Sequence, residues 1–584
     1  SAQDPDHSLS LNKLERIEVV RGPSSSIYGN SALTGVINLI TKSGTTHQGL
    51  SVTVASGSYG LKKANLEFGK ELEEGEIYAW GQYFQTDGEK INLSPEENWS
   101  ANVGNSGSFY IDRFRNVPSH DIGAQIKIEN WTLLMSDGAA KYSKPFSSFG
   151  DIEGQTYDIN DYREIDRIQP GGTKMYHRHL SLKHESKALG LDWINNIYTD
   201  RSGVVGTGVA DPDDQSSTGY KVRKFEFSDK DFGLISYAGK EYSFLGYDGN
   251  TILGMQYEEM KSEGGSLEGY NTADQANIDI SKFTMLLPGK EKQYALFLQS
   301  KQRYSDNLVA NIGVRYDKKY RRNDTHTIEN ISSRVSLSYN VNNAWNVKGV
   351  YAESFVDAPY FYRYNQFEQY QGSTNLEPEL LNSTQLSVIF SGYLGLTSTT
   401  NIFYNNLDNF IFFNIDSADP DQKVFNSGEM ITWGLENETV YRADTWSVSF
   451  NATYLSLVSH KNVPVIDDKI RDVPSVWFNI IMDKEFSDKI SGNLHIMHVG
   501  SQHSPISSTA YLNGELVADP NNVVSGKTII NLNAQYNPVW LNKLELGLNI
   551  SNVFDTTHFQ GGTVQHPYQQ PGRWWSLSAS YLFD

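Results

Sequence analysis

Apolar and polar residues alternate with a period of two along several segments of this chain. In residues 308–317 the apolar positions are Leu308, Ala310, Ile312, Val314 and Tyr316. The same alternation recurs in 446–454, 530–536 and 544–551. A period of two is typical of a β-strand whose two faces meet different surroundings. These segments therefore predict strands with one face toward lipid and the other toward a polar lumen.

The connections between the predicted strands are of two kinds. Ser305-Asp306-Asn307 is a tight turn, whereas 201–219, 260–280, 359–376 and 502–526 read as long polar loops. Tight turns at one end and long loops at the other are typical of outer-membrane barrels. A soluble sandwich or propeller is the alternative, but its strands would not carry such long loops on one side.

Composition supports a membrane barrel. Hydrophobic residues are only 38% of the 584 residues, with 34 Tyr and 11 Trp, and the mean hydropathy is −0.48. No run approaches the ~18 apolar residues of a transmembrane helix. We predict an all-β fold, a transmembrane antiparallel β-barrel of roughly 22 strands at about 25 residues for each strand and its connection.

Charge and motifs exclude several classes of function. The net charge of −20 argues against nucleic acid, whose phosphates require a basic surface. The chain has no Cys, so disulfides and thiolate metal sites are excluded. No nucleophile elbow, HExxH, P-loop or paired-carboxylate motif is present, so we predict no enzymatic activity. There is no signal peptide, and since a barrel must cross the inner membrane, we expect that Ser1 is not the translated start.

Residues 14–42, LERIEVVRGPSSSIYGNSALTGVINLITK, combine two short strand patterns with a Gly-Pro-Ser-Ser-Ser turn. This segment resembles the end of the plug domain of TonB-dependent outer-membrane receptors. Three later pairs of segments resemble the same family: 355–359 with 375–379, 401–405 with 434–436, and 552–555 with 571–573. The last strand, 575–583, resembles the family's C-terminal assembly signal, although Asp584 follows the aromatic Phe583.

The resemblance implies two domains. Residues 1–44 would be the C-terminal part of a plug, a remnant inside the lumen, and residues 45–584 the barrel. Most of the plug and the TonB box are missing from this chain, and we expect them upstream in the native polypeptide. A plugless passive channel, or an accessory barrel of a larger outer-membrane complex, is the alternative.

The resemblance also implies a function. It predicts an outer-membrane receptor of a Gram-negative bacterium that imports a scarce ligand, a ferric siderophore in the first place, with energy supplied through TonB. Cobalamin, a glycan or a peptide are alternative ligands. The implied partners are outer-membrane lipid and lipopolysaccharide, the TonB complex through the missing N-terminal region, and the small-molecule ligand. No cofactor is implied.

Two groups of residues are candidates for ligand contact. An aromatic loop offers broad amphipathic contacts and one cation, and the plug turn offers hydroxyl groups. The candidates are Tyr360, Phe361, Tyr362, Arg363, Tyr364, Phe367, Ser24, Ser25 and Tyr28. Packing against the barrel wall is the alternative for both groups. We expect Glu18 and Arg21, on a plug strand, to pair with charged residues of the lumen wall.

No metal site is predicted. Residues 355–379, where haem receptors of the family carry an axial histidine, contain none. The histidines at 177, 179 and 184, and those at 495, 498 and 503 near Met497, lack a closed ligand spacing. The Asp-Pro segments at 211–214, 419–421 and 519–521 are ordinary turn starters, with Ca²⁺ binding as the alternative.

Overall fold

The structure of this protein is a computed structural model. It describes residues 10–30, 32–92, 108–111, 119–142, 172–209, 222–270, 280–324, 326–367, 371–413, 423–461, 470, 473–503, 510–512, 515–517, 523–562 and 567–583. Within these residues, no helix has the length and apolar character needed to cross a membrane.

The chain begins with an antiparallel hairpin. Strands β1 (Leu14–Arg21) and β2 (Gly35–Thr41) pair along their length, with Val19 opposite Ile37. Helix α1 (Ser25–Tyr28) lies in the turn between them. Gly22 and Gly29 flank this turn at φ angles of 79° and 75°, a backbone region that glycine adopts without steric cost.

The long strands that follow in the described residues form one closed antiparallel barrel of 22 strands. Its first eleven segments are β3 (Gly49–Gly57), β4 (Lys62–Leu72), β5 (Gly75–Gln85), β6 (Ser119–Ile128), β7 (Trp131–Tyr142), β8 (Gly172–Ala188), β9 (Leu191–Val209), β10 (Val222–Phe244), β11 (Tyr247–Tyr270), β12 (Ile280–Leu286) and β13 (Gly289–Arg303). The remainder are β14 (Leu308–Tyr320), β15 (Thr327–Asn340), β16 (Trp345–Val356), β17 (Glu379–Tyr393), β18 (Leu396–Asp408), β19 (Glu429–Arg442), β20 (Trp446–Lys461), β21 (Val476–Ser487), β22 (Ile490–Val499), β23 (Lys527–Tyr536), β24 (Leu544–Ser551) and β25 (Trp574–Phe583). The predicted fold class and strand number are confirmed.

The barrel closes between its first and last strands. β3 pairs with β25, with Leu50 opposite Phe583. One strand is interrupted: β12 pairs with the outer part of β11, and β13 with the rest. These two segments together count as one strand of the 22.

Short pairs of strands and one-turn helices lie in the connections between the barrel strands. Helix α2 (Tyr360–Tyr364) follows β16, and 3-10 turns occupy Ser58–Gly60 and Arg322–Asp324. The small pairs are Glu89–Asn92 with Ser108–Ile111, Ile411–Phe413 with Val424–Asn426, Gln502–His503 with Val523–Val524, Ala510–Leu512 with Glu515–Val517, and Phe559–Gly562 with Pro567–Gln569.

The predicted alternation separates two faces of the wall. On β14, Ile312, Val314 and Tyr316 are exposed on the outer surface, whereas Arg315 is buried. Trp446, Phe450 and Tyr454 on β20 and Trp575 and Leu577 on β25 are exposed in the same way. The exposed apolar face is the lipid-facing surface, since a barrel in lipid presents its apolar side outward.

Two of the predicted loops are partly strand. β9 continues to Val209 and β11 to Tyr270, so residues 201–209 and 260–270 are not loop. The prediction was wrong there because polar residues were taken as loop residues. A strand that pairs with neighbours on both sides keeps its backbone hydrogen bonds satisfied beyond the lipid, where polar side chains cost nothing. We call the end with long connections the outer end and the end with tight turns the inner end.

Candidate functional site

The turn of the N-terminal hairpin is bonded to the barrel wall. The Ser25 backbone N–H donates to Ser354 Oγ at 3.0 Å. Arg334 Nη1 donates to the Pro23 carbonyl at 2.5 Å, and Arg315 Nη1 to the Ile27 carbonyl at 3.4 Å. The turn therefore lies inside the barrel, against β14, β15 and β16.

Arg315 is a fixed support for this turn. Its Nε donates to both carboxylate oxygens of Asp317, at 3.0 and 2.9 Å, and its Nη2 to Gln256 Oε1 at 2.8 Å. A Cβ on Gly29 would lie only 2.6 Å from Arg315 Nη2. The approach of the turn to the wall therefore depends on a glycine at position 29.

The same turn contacts residues 357–366, which follow β16 and which we call the outer segment. Asn30 Oδ1 accepts a hydrogen bond from the Asp357 backbone N–H at 2.8 Å. Asp357 is the first residue after β16 and its side chain is buried. The hairpin turn and the outer segment are thus joined by a direct bond.

A buried cluster of five charged side chains holds the outer segment. Arg363 on α2 forms a two-pronged pair with Glu291 on β13, with N–O distances of 2.5 and 2.9 Å. Lys319 Nζ lies 3.1 Å from Glu291 and 2.8 Å from Asp357. Arg321 Nη2 donates to Asp357 Oδ1 at 2.5 Å. Three cations therefore share two carboxylates away from water.

The charges of this cluster control the ionisation of Asp357. Burial alone would raise the pKa of its carboxyl group. The positive charges of Lys319 and Arg363 and the hydrogen bond from Arg321 outweigh burial and lower the pKa to about 2. Burial also opposes the charge of Arg363, but its bonds to Glu291 and the charge of Asp357 raise its pKa.

We expect the outer segment to stay in place at neutral pH and to loosen in acid. The folded-state pKa of Asp357 is lower than its unfolded value of 3.8, so its contribution is present above pH ~4 and is lost as the pH falls to about 2. The shift corresponds to ~2 kcal/mol. Hydrogen exchange of residues 357–366 at pH 6, 4 and 2.5 measures it, and exchange protection unchanged at pH 2.5 would contradict it.

Aromatic side chains pack around α2. Tyr360 and Tyr364 are buried with their ring centroids 4.5 Å apart, and the Arg363 guanidinium lies 5.0 Å from the Tyr364 ring centre. Phe361 and Tyr362 are half-buried. Phe367 lies 6.4 Å from Phe283 of β12. Phe361, Tyr362 and Phe367 therefore retain surface that a ligand could contact.

The residues predicted to contact ligand fall into two groups. Tyr360, Arg363, Tyr364, Ser24 and Ser25 are buried, whereas Tyr28 is 46% exposed. Arg363 binds the Glu291 carboxylate with two hydrogen bonds and lies over the rings of Tyr360 and Tyr364, so its charge is already used within the protein. The buried residues can position the site, and direct contact would first require their internal bonds to break.

Arg21 and Glu18, the two residues of β1 that were expected to pair with the lumen wall, have different partners. Arg21 Nη2 lies 2.9 Å from Glu438 on β19, so it meets the barrel wall. Glu18 instead bonds to Arg16 and Asn38 within the hairpin. These neighbours satisfy the Glu18 carboxylate locally, which removes the reason to expect a partner on the wall.

Sequence reasoning missed the wall residues that fix these elements. Glu291, Lys319 and Arg321 stand on strands or at a strand end, and nothing local distinguishes them from other lumen residues. Asp357 lies in the family-like segment 355–359, but the resemblance assigned no role to its side chain. A second anchor was also missed: Asp121 on β6 accepts bonds from the Ser10 backbone N–H at 2.8 Å, Lys13 Nζ at 2.6 Å and Trp80 Nε1 at 2.9 Å. The sequence offered two hints of this anchor, a carboxylate on the lumen face of a strand, Asp121, and a lysine just ahead of β1, Lys13.

Four of the histidines considered as metal ligands contact other residues of the barrel wall. His179 lies between Asp200 (2.7 Å) and Ser181 (3.1 Å), and His184 packs on Trp131. His495 bonds to Asn479 at 2.9 Å and His498 to Thr528 at 2.9 Å. Among the described residues, no three His, Asp or Glu side chains are placed to hold a metal ion. The Asp-Pro segments 211–214, 419–421 and 519–521 lie outside the described residues.

Comparison with known proteins decides the family. A family model described as TonB dependent receptor-like, beta-barrel, matches residues 124–553. The chain belongs to the TonB-dependent receptor family. As a member of this family it is a barrel of the Gram-negative outer membrane.

The relatives of this receptor include several transport proteins. The chain is 23% identical to the ferric enterobactin receptor of Pseudomonas aeruginosa, over 98% of this chain and 81% of that protein. It is 23% identical to the vitamin B12 transporter BtuB of Vibrio cholerae, over 66% of this chain and 54% of that protein. The solved siderophore receptor PiuA of Acinetobacter baumannii has a TM-score of 0.72 and 13% identity, covering 98% of this chain and 86% of that one. The last likeness concerns the fold.

Proposed function

We propose that this receptor imports a ferric siderophore, with energy supplied through TonB. The observation that carries the proposal is its similarity to the ferric enterobactin receptor over 98% of the chain. The bonded contact between hairpin and outer segment supports a gated route over an open channel. We propose no enzymatic activity.

The ligand would meet the receptor at the outer end of the lumen. We assign direct contact to the partly exposed rings of Tyr28, Phe361, Tyr362 and Phe367, because aromatic rings with polar tips suit a catecholate or another planar chelating group. Tyr360, Arg363, Tyr364, Ser24 and Ser25 would position these rings. We assign residues 1–44 to the C-terminal part of the plug and residues 45–584 to the barrel.

Energy would be applied to the plug from the inner end. TonB would act on the N-terminal side of the hairpin, and the ion pair of Arg21 with Glu438 is one contact that movement of the hairpin breaks. Outer-membrane lipid and lipopolysaccharide would surround the barrel. A cobalamin importer is the second candidate, favoured only by the shorter match to the vitamin B12 transporter.

Growth and binding measurements test the proposal. The full-length gene is expressed in a bacterium without its own siderophore receptors, under iron limitation, with and without TonB. We expect ferric enterobactin, or another ferric siderophore of a panel, to restore growth only with TonB. Growth promoted by cyanocobalamin alone, in a cobalamin-requiring strain, would favour the second candidate. Restoration without TonB would contradict energised transport.

A substitution pair tests the assigned surface. We expect Tyr362→Ala to weaken siderophore binding by roughly 1–2 kcal/mol, because truncating an aromatic contact removes packing area that the ligand would cover. Tyr304→Ala is the matched control, since Tyr304 is exposed in a turn at the inner end. Quenching of tryptophan fluorescence on titration measures both. Equal affinities of the two variants would exclude the assigned surface while leaving the transport assay unaffected.

A further inference from the structure

A row of five basic residues crosses five neighbouring strands of the barrel wall. Strand pairing places Arg178 opposite Arg201, Arg201 opposite Lys230, Lys230 opposite Lys261, and Lys261 opposite Lys290. The row therefore runs from β8 through β9, β10 and β11 to β13, with a cation at every position. We call these five residues the basic row.

The basic row lies on the outside of the barrel, just beyond the lipid-facing surface. Residues an even number of positions apart in a strand share a face. Arg178 lies two residues from the exposed Leu180, and Lys230 two residues from the exposed Phe232. The other three members lie four or six residues from exposed side chains of the same face, which are Ile197, Met255 and Tyr294. All five are displaced from these neighbours toward the outer end, where lipid headgroups meet a barrel.

The charges of the basic row are only partly balanced within the protein. Directly opposed residues of paired strands have Cβ atoms roughly 5 Å apart, and like charges there destabilise the sheet. Three carboxylates lie beside the five cations: Asp137 contacts Arg178, Glu263 lies 3.5 Å from Arg201 and 2.5 Å from Lys230, and Glu259 lies 2.6 Å from Lys290. Among the described residues, none forms an ion pair with Lys261. Two positive charges therefore remain without a carboxylate.

This excess of positive charge is local. On β16 and β18, the outward-facing residues that follow the exposed Tyr351 and Tyr404 toward the outer end are Glu353 and Asn406. The whole chain has a net charge of −20. An even distribution of charge would make the arc from β8 to β13 acidic, so its basic character calls for an anionic partner at that arc.

The position of the basic row selects the chemistry of this partner. The outer leaflet of a Gram-negative outer membrane consists of lipopolysaccharide, whose lipid A carries phosphate groups at the headgroup level. Arg binds phosphate through two parallel hydrogen bonds, and Lys attracts it as a point charge. Four strand spacings of ~4.8 Å give the row a length of roughly 19 Å, enough to meet more than one phosphate.

We propose that the basic row binds the phosphate groups of lipopolysaccharide. The phosphates would balance the two excess charges and weaken the repulsion between opposed cations. The bound lipid would lie against β8–β13, on the outside of the wall. This inference rests on the outer-membrane location of the receptor, and it is independent of the ligand that passes through the lumen.

Binding of purified lipid A to the full-length receptor tests the proposal. The receptor is purified in a neutral detergent, freed of lipid, and titrated with lipid A while native mass spectrometry records the bound fraction. The test variant is Lys230→Gln/Lys261→Gln. The matched control, Lys187→Gln/Lys489→Gln, removes two exposed lysines near the inner end. Lipid A without its phosphates and phosphatidylglycerol are the comparison lipids.

We expect the test variant to bind lipid A roughly tenfold or more weakly than the parent receptor, and the control to bind as the parent does. The difference should disappear with dephosphorylated lipid A. Equal affinity of the test variant and the control would overturn the proposal. So would phosphatidylglycerol binding to the parent receptor as tightly as lipid A, since the row would then select no particular anionic lipid.

Two measures keep this test decisive. Lys230→Gln and Lys261→Gln are also measured singly, so a folding failure of the double variant leaves two results. Migration of unheated receptor on a gel in dodecyl sulfate reports whether each barrel is closed. Siderophore-dependent growth is recorded separately, so failure of the import proposal does not affect the outcome of the lipid titration.

Discussion

Replacing Arg363 with alanine is expected to release the outer segment from the barrel wall. The guanidinium forms two bonds to Glu291 and one from Nε to the Ala358 carbonyl at 2.8 Å, and it is 1% exposed. Glu291 keeps the Lys319 cation but loses two charge-assisted hydrogen bonds of roughly 1.5–3 kcal/mol each, so we expect the change to cost roughly 3–5 kcal/mol. We expect that loss in the local stability of residues 357–366, measured by hydrogen exchange, with loss of siderophore binding.

Arg21→Ala provides the matched control for this effect. Arg21 also pairs with a glutamate, Glu438, but its side chain is 52% exposed. Exposed pairs contribute roughly 0.2–1 kcal/mol, since water and salt screen them. Arg21→Ala should therefore lower stability only slightly, whereas Arg363→Ala should lower the local stability of residues 357–366 strongly. Similar losses in both variants would mean that the buried cluster does not hold α2.

Replacing Gly29 with alanine is expected to push the hairpin turn away from the wall. Its φ of 75° costs an L-residue ~1–2 kcal/mol, and the new Cβ would collide with Arg315, which Asp317 and Gln256 hold in place. Overpacking at a fixed site adds about 1–3 kcal/mol. We expect protease cleavage within the hairpin to accelerate and the Asn30–Asp357 contact to weaken.

Gly190→Ala separates the collision from the backbone cost. Gly190 has nearly the same φ, 72°, but a Cβ there meets no atom within 4 Å. It should show the backbone cost alone, as a modest drop in thermal stability without exposure of the hairpin. Equal hairpin protection in the two variants would show that the turn does not depend on its close approach to Arg315.

Arg363→Ala and Gly29→Ala act on opposite ends of one chain of contacts. Arg315 supports the turn, Asn30 joins the turn to Asp357, and Asp357 shares Lys319 with Glu291. Ligand binding over α2 and force on the hairpin would both act on Asp357. We therefore expect a variant at either end to change the protection of the other end in hydrogen exchange.

The sequence determined the class of fold because a two-faced strand has a short and regular signature. The alternation in 308–317 predicted which residues of β14 meet lipid, and Arg315 was placed on the lumen side. The motif in 14–42 predicted the hairpin and its glycine turn. The sequence did not predict the ends of β9 and β11, because a paired strand can extend beyond the lipid without any change in its backbone hydrogen bonds.

Only the tertiary structure decided the roles of individual side chains. Arg363 and Phe361 stand two residues apart in one aromatic segment. Arg363 is buried against Glu291, whereas the Phe361 ring is only half-buried. Glu291 and Asp357, 66 residues apart in the chain, share Lys319 only because β13, β14 and β16 bring them to one side of the lumen. The period of two fixes the face on which a residue lies, but its partner depends on strand register and closure, which are set by long-range pairing.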